Sequence, residues 1–279
     1  MLSTQPQLLR LSQGQLHLLE ICPRQFQHAY LEQLHSPTEP ERQEYRELGS
    51  RFHLLVQQQE MGLPIDSFLQ AEPQLQTWMK AFADAAPEIL ASATDSYIFR
   101  ESEHYRSLQV QNYLLTVVYD LLIADNQKAQ IFDWKTYPQP PNQRQLEQNW
   151  QTRLYTYVLA ETSDYLPEEI SMTYWFIQSQ QRPQIIKLNY STAQHHQTGD
   201  KLMQLLSKLT AWLEIYYCGE DFPQLPEGSK ACQYCQFAKR CQRTHTNFEM
   251  TSAVKSFQNA VDNNLLNLAS IQEVSLEKK

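Results

Sequence analysis

Two aspartates and a lysine stand where strand residues should be apolar. Val117 to Thr136 reads VVYDLLIADNQKAQIFDWKT, and the apolar runs Leu114 to Ile123 and Ala129 to Trp134 flank the polar Asp125-Asn126-Gln127-Lys128. Apolar run, turn-forming residues and apolar run together predict a β-hairpin. Asp120 and Asp133 each interrupt one strand, and Lys135 lies two residues beyond the second aspartate. Desolvating an unpaired charge costs far more than the packing of one side chain recovers, so three charges on one hairpin point to a shared metal or phosphate site. Carboxylates at solvated strand ends are the bland alternative, and the hairpin alone does not choose. Asp120, Asp133 and the Trp134 backbone carbonyl are hard oxygen donors suited to Mg²⁺ or Mn²⁺. Beside such an ion, Lys135 can orient or deprotonate a water and offset charge on a phosphorane-like transition state. That equipment suits phosphodiester hydrolysis.

Sulfur is concentrated elsewhere. Cys232-Gln233-Tyr234-Cys235 is followed by Cys241 after five intervening residues, with Lys239, Arg240 and Arg243 interleaved. Tetrahedral sulfur sites, zinc or iron–sulfur, take four thiolates, so a fourth must come from Cys22 or Cys218. Cys22 sits in Ile21-Cys22-Pro23-Arg24, where the proline frees the backbone at a helix end. A ligand set drawn from both ends of the chain would tie its N-terminal and C-terminal regions together. The spacing leaves zinc and iron–sulfur open.

The elements that must position these groups follow from periodicity. Leu8 to Leu34, with Ser12 as N-cap, reads as two helices meeting near Pro23. His35 to Glu41 is a proline-containing linker, Tyr45 to Met61 a second helical segment carrying Gly49 and His53, and Glu72 to Ala93 a third. From Ser96 the pattern alternates: Ile98 to Arg106 and Leu108 to Gln111 read as strand leading into the hairpin. Glu101 and Glu103 share parity with Phe99, so both are expected on one face, and either could join the site. Gln143 to Ala160 reads as one helix on which Gln148, Gln151 and Tyr155 form a stripe. In isolation His53 reads as an ordinary helix histidine, and Gln151 and Tyr155 as solvated surface. Ile170 to Ile177 and Pro183 to Asn189 are two more strands, joined by a turn at Ser179 to Arg182. A long helix capped by Ser191 or Thr192 runs through Tyr216, and Cys218 closes it. Strand, strand, strand, helix, strand, strand, helix is the order of an α/β fold, a mixed β-sheet flanked by helices.

The chain of 279 residues is 42% hydrophobic, enough for one large domain with appendages, and carries a net charge of −8. That charge argues against a wholly basic surface but leaves room for a locally attractive cleft. No signal pattern opens the sequence and no apolar run approaches the roughly 20 residues of a membrane span, so a cytoplasmic protein without a membrane partner is expected. Five cysteines in such a chain fit metal ligands better than disulfides. No internal repeat and no glycine-rich Lys-Ser/Thr nucleotide loop occurs, so ATP-driven unwinding would have to come from a partner.

Asp120 followed by Asp133-Trp134-Lys135 resembles the signature of the PD-(D/E)XK nuclease superfamily. His53 upstream and Gln151-x-x-x-Tyr155 downstream resemble its RecB-like branch. Cys22 with Cys232, Cys235 and Cys241 resembles the four-cysteine iron–sulfur staple of AddB-type and CRISPR-associated members. The similarity spans roughly residues 12 to 243, and the joint occurrence of these motifs is far more specific than any one of them. It implies a restriction-endonuclease-like fold, with His53, Asp120 and Asp133 as metal ligands and Lys135 assisting the water; from strand parity, Glu103, with Glu101 as the alternative, is expected to complete the carboxylate set. It implies that Gln151 and Tyr155 contribute to the site or to DNA, and that a [4Fe–4S] cluster is held in preference to zinc. Two departures stand out. Val118-Tyr119 precede the first aspartate and Tyr137 follows Lys135-Thr136 where the family often has glycines, which predicts a crowded substrate groove.

The expected organisation is a helical region over 1–95 with Cys22 and His53, a nuclease core over 96–218, a cysteine cluster over 219–245, and a polar tail over 246–279 without assigned role. The expected function is a Mg²⁺- or Mn²⁺-dependent DNA nuclease acting on single strands or DNA ends, an exonuclease rather than an endonuclease, in repair, recombination or CRISPR adaptation. A helicase or a CRISPR adaptation protein is the expected partner. A catalytically silent nucleic-acid-binding or assembly module of a helicase–nuclease complex is the rival, because a fold does not guarantee activity. A zinc-stabilised enzyme acting on RNA is a third reading.

Overall fold

A computed structural model describes residues 8–34, 40–85, 99–137, 139–178 and 183–243. The turn expected at Ser179 to Arg182, the end of the helix expected to reach Ala93, the start of the alternating pattern at Ser96, most of the linker from His35 and the tail over 246–279 lie outside the described residues. The chain divides into two compact units, one of residues 1–10 and 37–199, the other of 11–36 and 200–279. Cys22 therefore falls in one unit and His53 in the other.

The first unit is built on a mixed sheet, six-stranded among the described residues, in the order β1-β3-β4-β5-β6, with β2 also paired to β3. The strands are β1 (Leu9–Leu11), β2 (Phe99–Val110), β3 (Tyr113–Ala124), β4 (Ala129–Lys135), β5 (Ile170–Phe176) and β6 (Gln184–Asn189). The opening hairpin is β3–β4. Asp125 closes its turn by accepting the N–H groups of Gln127 and Lys128 at 2.7 and 3.0 Å, the side-chain turn that makes aspartate favourable there. β4 runs parallel to β5, which is buried along its whole length, and the pairs β2–β3, β3–β4 and β5–β6 are antiparallel. The two strand segments expected before the hairpin are one continuous strand, β2.

In chain order the helices are α1 (Gln13–Ile21), α2 (Pro23–Phe26), α3 (Pro40–Glu60), α4 (Asp66–Ala71), α5 (Pro73–Ala85), α6 (Gln143–Gln148), α7 (Trp150–Glu161) and α8 (Thr192–Tyr217). Phe52, Leu55 and Val56 of α3 and Trp78, Met79 and Phe82 of α5 pack with Leu121, Ile123, Phe132 and Trp134 of the hairpin. Arg100 of β2 donates twice to the Glu60 carboxylate, at 2.9 and 2.7 Å, fixing the end of α3 against the sheet. The short helix α4 has no buried residues, so it carries little of the apolar periodicity that reveals a helix in a sequence. The single helix expected over Gln143 to Ala160 is two. Asn149 leaves helical geometry at φ −70 and ψ 140, and its side chain accepts the Gln151 N–H at 2.9 Å, starting α7 afresh.

The second unit contains α1, α2, a π-helical turn at Gln27–Leu31 and a short 3-10 turn at Lys230–Cys232. Pro23 stands at the first position of α2, where its missing N–H is harmless, so the expected junction near Pro23 is present. Among the described residues no helix is long and apolar enough to cross a membrane.

Candidate active site

The β3–β4 ladder runs only from Ala124↔Ala129 to Leu121↔Phe132, and Asp120 is the next residue on β3. Beyond that point the Trp134 N–H, which would continue the ladder, donates instead to Asp120 Oδ2 at 2.7 Å. Asp120 thus occupies the opening between two parting strands. A strand residue's N–H and carbonyl project to the same edge, so the Trp134 carbonyl faces that opening too. Its other oxygen, Asp120 Oδ1, lies 3.3 Å from His53 Nδ1 on α3.

Asp133 and Lys135 have the opposite parity from Phe132 and Trp134, and so leave the α3–α5 core for α7. There Lys135 Nζ lies 2.8 Å from Asp133 Oδ2 and donates to Gln151 Oε1 at 2.9 Å, while Gln151 Nε2 donates to Asp133 Oδ1 at 2.6 Å. Only one orientation of the Gln151 amide satisfies both neighbours, since an ammonium can only donate and a carboxylate only accept. The three side chains form a closed ring, and Asp133, Lys135 and Gln151 are 2%, 7% and 2% exposed. The break at Asn149 is what aims Gln151 into this ring. Tyr155, one turn further along α7, is buried; its carbonyl accepts the Tyr119 hydroxyl at 3.0 Å and the two rings meet edge to face. Gln151 and Tyr155 are thus not solvated surface. Tyr119 is fully buried and bonded to α7, so it forms no wall of an open groove, contrary to the crowding expected from its size.

Glu101 and Glu103, expected on one face, have different surroundings: Glu101 is exposed and Glu103 half-buried. Glu103 has φ +51, the left-handed region, in the middle of β2. The pairing Ser102↔Leu121 and His104↔Tyr119 brackets it, leaving Glu103 opposite Asp120 without a ladder pair. Glu101 is exposed and its carboxylate contacts His104 Nδ1 at 2.8 Å, whereas ligand atoms of Glu103, His53 and Asp120 lie within 4.8 Å of one another. Among the described residues this is the group of histidines and carboxylates spaced to hold a metal ion. Alternation cannot reveal it, because a single left-handed residue departs from strand geometry while the register continues on both sides.

The electrostatics separate the two aspartates. Burial works against an ionised Asp120, but the His53 ring, Lys135 and the Trp134 N–H outweigh it and hold its carboxyl below the usual range. Burial, with the nearby Asp120 charge, raises Asp133 to about 6 against the opposing pull of Lys135. Burial and Asp120 raise Glu103 to about 7. Burial would lower His53, yet Asp120 and Asp133 overcome it and raise the ring to about 9. Two carboxylates and an imidazole crowded together are donors of the kind a hard divalent cation takes.

A family model of the PD-(D/E)XK nuclease superfamily matches residues 10–242. The chain belongs to the PD-(D/E)XK nuclease superfamily. Its mixed sheet with flanking helices is the restriction-endonuclease-like fold of that family. A crystal structure of a protein from Eubacterium rectale, described as a "putative exonuclease", is similar over 88% of this chain and 92% of its own, with 11% identity and a TM-score of 0.50. That similarity concerns the fold. The solved structure of SSO0001 is 14% identical over 88% of this chain and 92% of its own, with a TM-score of 0.38. No curated protein sequence matches the chain. PD-(D/E)XK nucleases use divalent metals, and the donor set His53, Glu103 and Asp120 fits such an ion in this member of the family.

In the second unit, a small cleft that opens to solvent is lined by Cys22, Cys232, Cys235 and Cys241 together with Arg24 and Arg243. Cys22 is buried and the other three half-buried, and Cys218 is exposed and outside the lining. Burial pushes the Cys235 thiol up to about 11, with the other three adding to the shift. Burial also raises Cys232 and Cys241, against opposing pulls from Arg243 and, for Cys241, Arg24. The four thiols share one lining, but they are not among the side chains whose ligand atoms lie within 4.8 Å of one another.

Proposed function

We propose that this PD-(D/E)XK protein is a Mg²⁺- or Mn²⁺-dependent deoxyribonuclease of the RecB-like branch. The observation that carries the reading is the ring of Asp133, Lys135 and Gln151 beside the His53–Glu103–Asp120 group. It supplies in one place a donor set for a hard cation and a fixed, buried amine. His53, Asp120, Asp133, Glu103 and the Trp134 carbonyl would hold the ion. When bound, a divalent cation neutralises phosphate charge and makes water more acidic. Lys135 positions the attacking water, whose oxygen bonds to phosphorus as the bond to the leaving sugar oxygen breaks. Its positive charge offsets negative charge growing on the phosphate. Gln151 fixes Lys135 and Asp133 relative to each other, and Tyr155 ties α7 to β3 by accepting the Tyr119 hydroxyl at its carbonyl. At 2% and 5% exposure these two are suited to positioning rather than to lining an open groove.

The substrate we infer is single-stranded DNA or a DNA end, cut exonucleolytically, in a cytoplasmic pathway of repair, recombination or CRISPR adaptation with a helicase or adaptation partner. We infer a structural [4Fe–4S] cluster at Cys22, Cys232, Cys235 and Cys241, supported by the convergence of residues from both ends of the chain on one cleft. The test is digestion of end-labelled single- and double-stranded DNA with Mn²⁺, with an RNA strand beside them. Shortening from an end confirms exonucleolytic action. Tight binding of DNA without metal-dependent turnover favours the silent assembly module instead.

A further inference from the structure

We propose that His104 is the positioning residue that holds Glu103 in its left-handed conformation and so delivers the Glu103 carboxylate into the His53–Asp120 group. The inference rests on the metal-dependent reading above and deepens it.

Two unfavourable features coincide at Glu103. Its φ of +51 is a conformation that suits glycine or asparagine, not a glutamate in a strand. It also opposes Asp120 across the β2–β3 pair, and like charges directly opposite repel. Such a residue persists only where its surroundings over-determine it. The adjacent residue is held on every side. His104 Nδ1 meets Glu101 Oε2 at 2.8 Å and its Nε2 meets Arg106 Nε at 3.1 Å. Its ring lies edge to face with Phe99 at 5.0 Å and stacks with Tyr119 at 6.1 Å. An arginine N–H can only donate, so Nε2 accepts and the proton on Nδ1 is given to Glu101. Arg106 is anchored in turn, donating to the carbonyl and hydroxyl of Thr162, the C-cap of α7, at 2.8 and 3.0 Å.

The clamp therefore runs from the end of α7 to the residue next to Glu103. Normal pairing resumes immediately on both sides, at Ser102↔Leu121 and His104↔Tyr119. A purely structural cluster would leave unexplained why the strained position carries a carboxylate aimed at two other ligand groups rather than a glycine.

The test is Mn²⁺ binding to the intact protein without DNA, read by electron paramagnetic resonance, with thermal unfolding in chelator as a second measurement. Glu103→Gly is expected to bind Mn²⁺ about tenfold more weakly or worse. Its metal-free unfolding temperature is expected to rise by about 2–4 °C, since glycine takes the left-handed backbone freely and the carboxylate pair is gone. His104→Ala is expected to lose a similar factor in Mn²⁺ affinity, and the double variant to bind no more weakly than Glu103→Gly alone. Should His104→Ala fail to fold, Glu101→Ala carries the test, because it removes an exposed partner; it is expected to weaken Mn²⁺ binding measurably, by a smaller factor. Wild-type affinity in the folded clamp variants, or fully additive losses in the double variant, overturns the positioning role. Absence of Mn²⁺ binding by the wild-type protein overturns the metal-dependent reading itself, and the inference with it.

Discussion

Gln151 donates to Asp133 at 2.6 Å through the same amide whose oxygen accepts from Lys135. One neutral side chain thus braces an acid and an amine that already lie 2.8 Å apart. Removing it leaves each without its second partner in the ring, so the contact between them is free to turn. Gln151→Ala is expected to lower kcat for DNA hydrolysis by about 10–100-fold with little change in KM, as loss of an orienting partner does. Steady-state kinetics on a labelled strand checks the split. A change confined to KM would make Gln151 a DNA-binding residue instead.

Metal affinity should depend on pH with a definite sign. A cation competes with protons for its ligands. Without it, Asp120 and Asp133 overcome the effect of burial to raise His53 to about 9, while burial and the neighbouring carboxylates raise Glu103 to about 7. Both groups must release protons on binding. Mn²⁺ affinity is therefore expected to rise steadily from pH 6 to about pH 9, with proton uptake by the buffer visible in calorimetry. A flat profile over that range would remove His53 and Glu103 from the ligand set.

Gly49 explains how α3 comes close enough to present His53. A Cβ at Gly49 would lie 2.8 Å from the Thr136 hydroxyl, immediately after Lys135. Gly49→Ala is expected to cut activity several-fold, short of the loss from removing a ligand, because Thr136 can turn part of the way aside. Adding Thr136→Ala is expected to restore most of the activity. Kinetics on the single and double variants measures the coupling.

What was legible in the sequence follows from what each signal depends on. Asp120, Asp133 and Lys135 could be read because charge inside apolar alternation is conspicuous without knowing the partner. Spacing groups Cys232, Cys235 and Cys241 and leaves the fourth cysteine open; the resemblance points to Cys22, which lines the same cleft while Cys218 does not. His53, Gln151 and Tyr155 look ordinary locally; only their order relative to the aspartates and lysine raised them, and their burial depends on tertiary packing. Glu103 is preferred to Glu101 in the sequence, but alternation gives both the same face and does not show the left-handed backbone at Glu103 that sets it apart. The break at Asn149 was hidden by the helical pattern continuing on both sides of it.

The cysteine cleft makes a separate prediction. A [4Fe–4S] protein purified without air absorbs visible light and is brown. Cys22→Ala is expected to abolish that absorbance and to lower stability, as loss of a structural metal centre does. A colourless wild-type protein with one equivalent of zinc by elemental analysis would replace the cluster with zinc and leave the hairpin chemistry untouched.

The most direct test of the central claim compares wild-type protein with Lys135→Ala on end-labelled single-stranded DNA in Mn²⁺. Removing the amine that offsets transition-state charge is expected to slow cleavage by about 100-fold or more while Mn²⁺ binding persists. Degradation at equal rates by both proteins, or none by the wild type in any divalent metal, would contradict the assignment of the Asp120–Asp133–Lys135 hairpin as a nuclease centre.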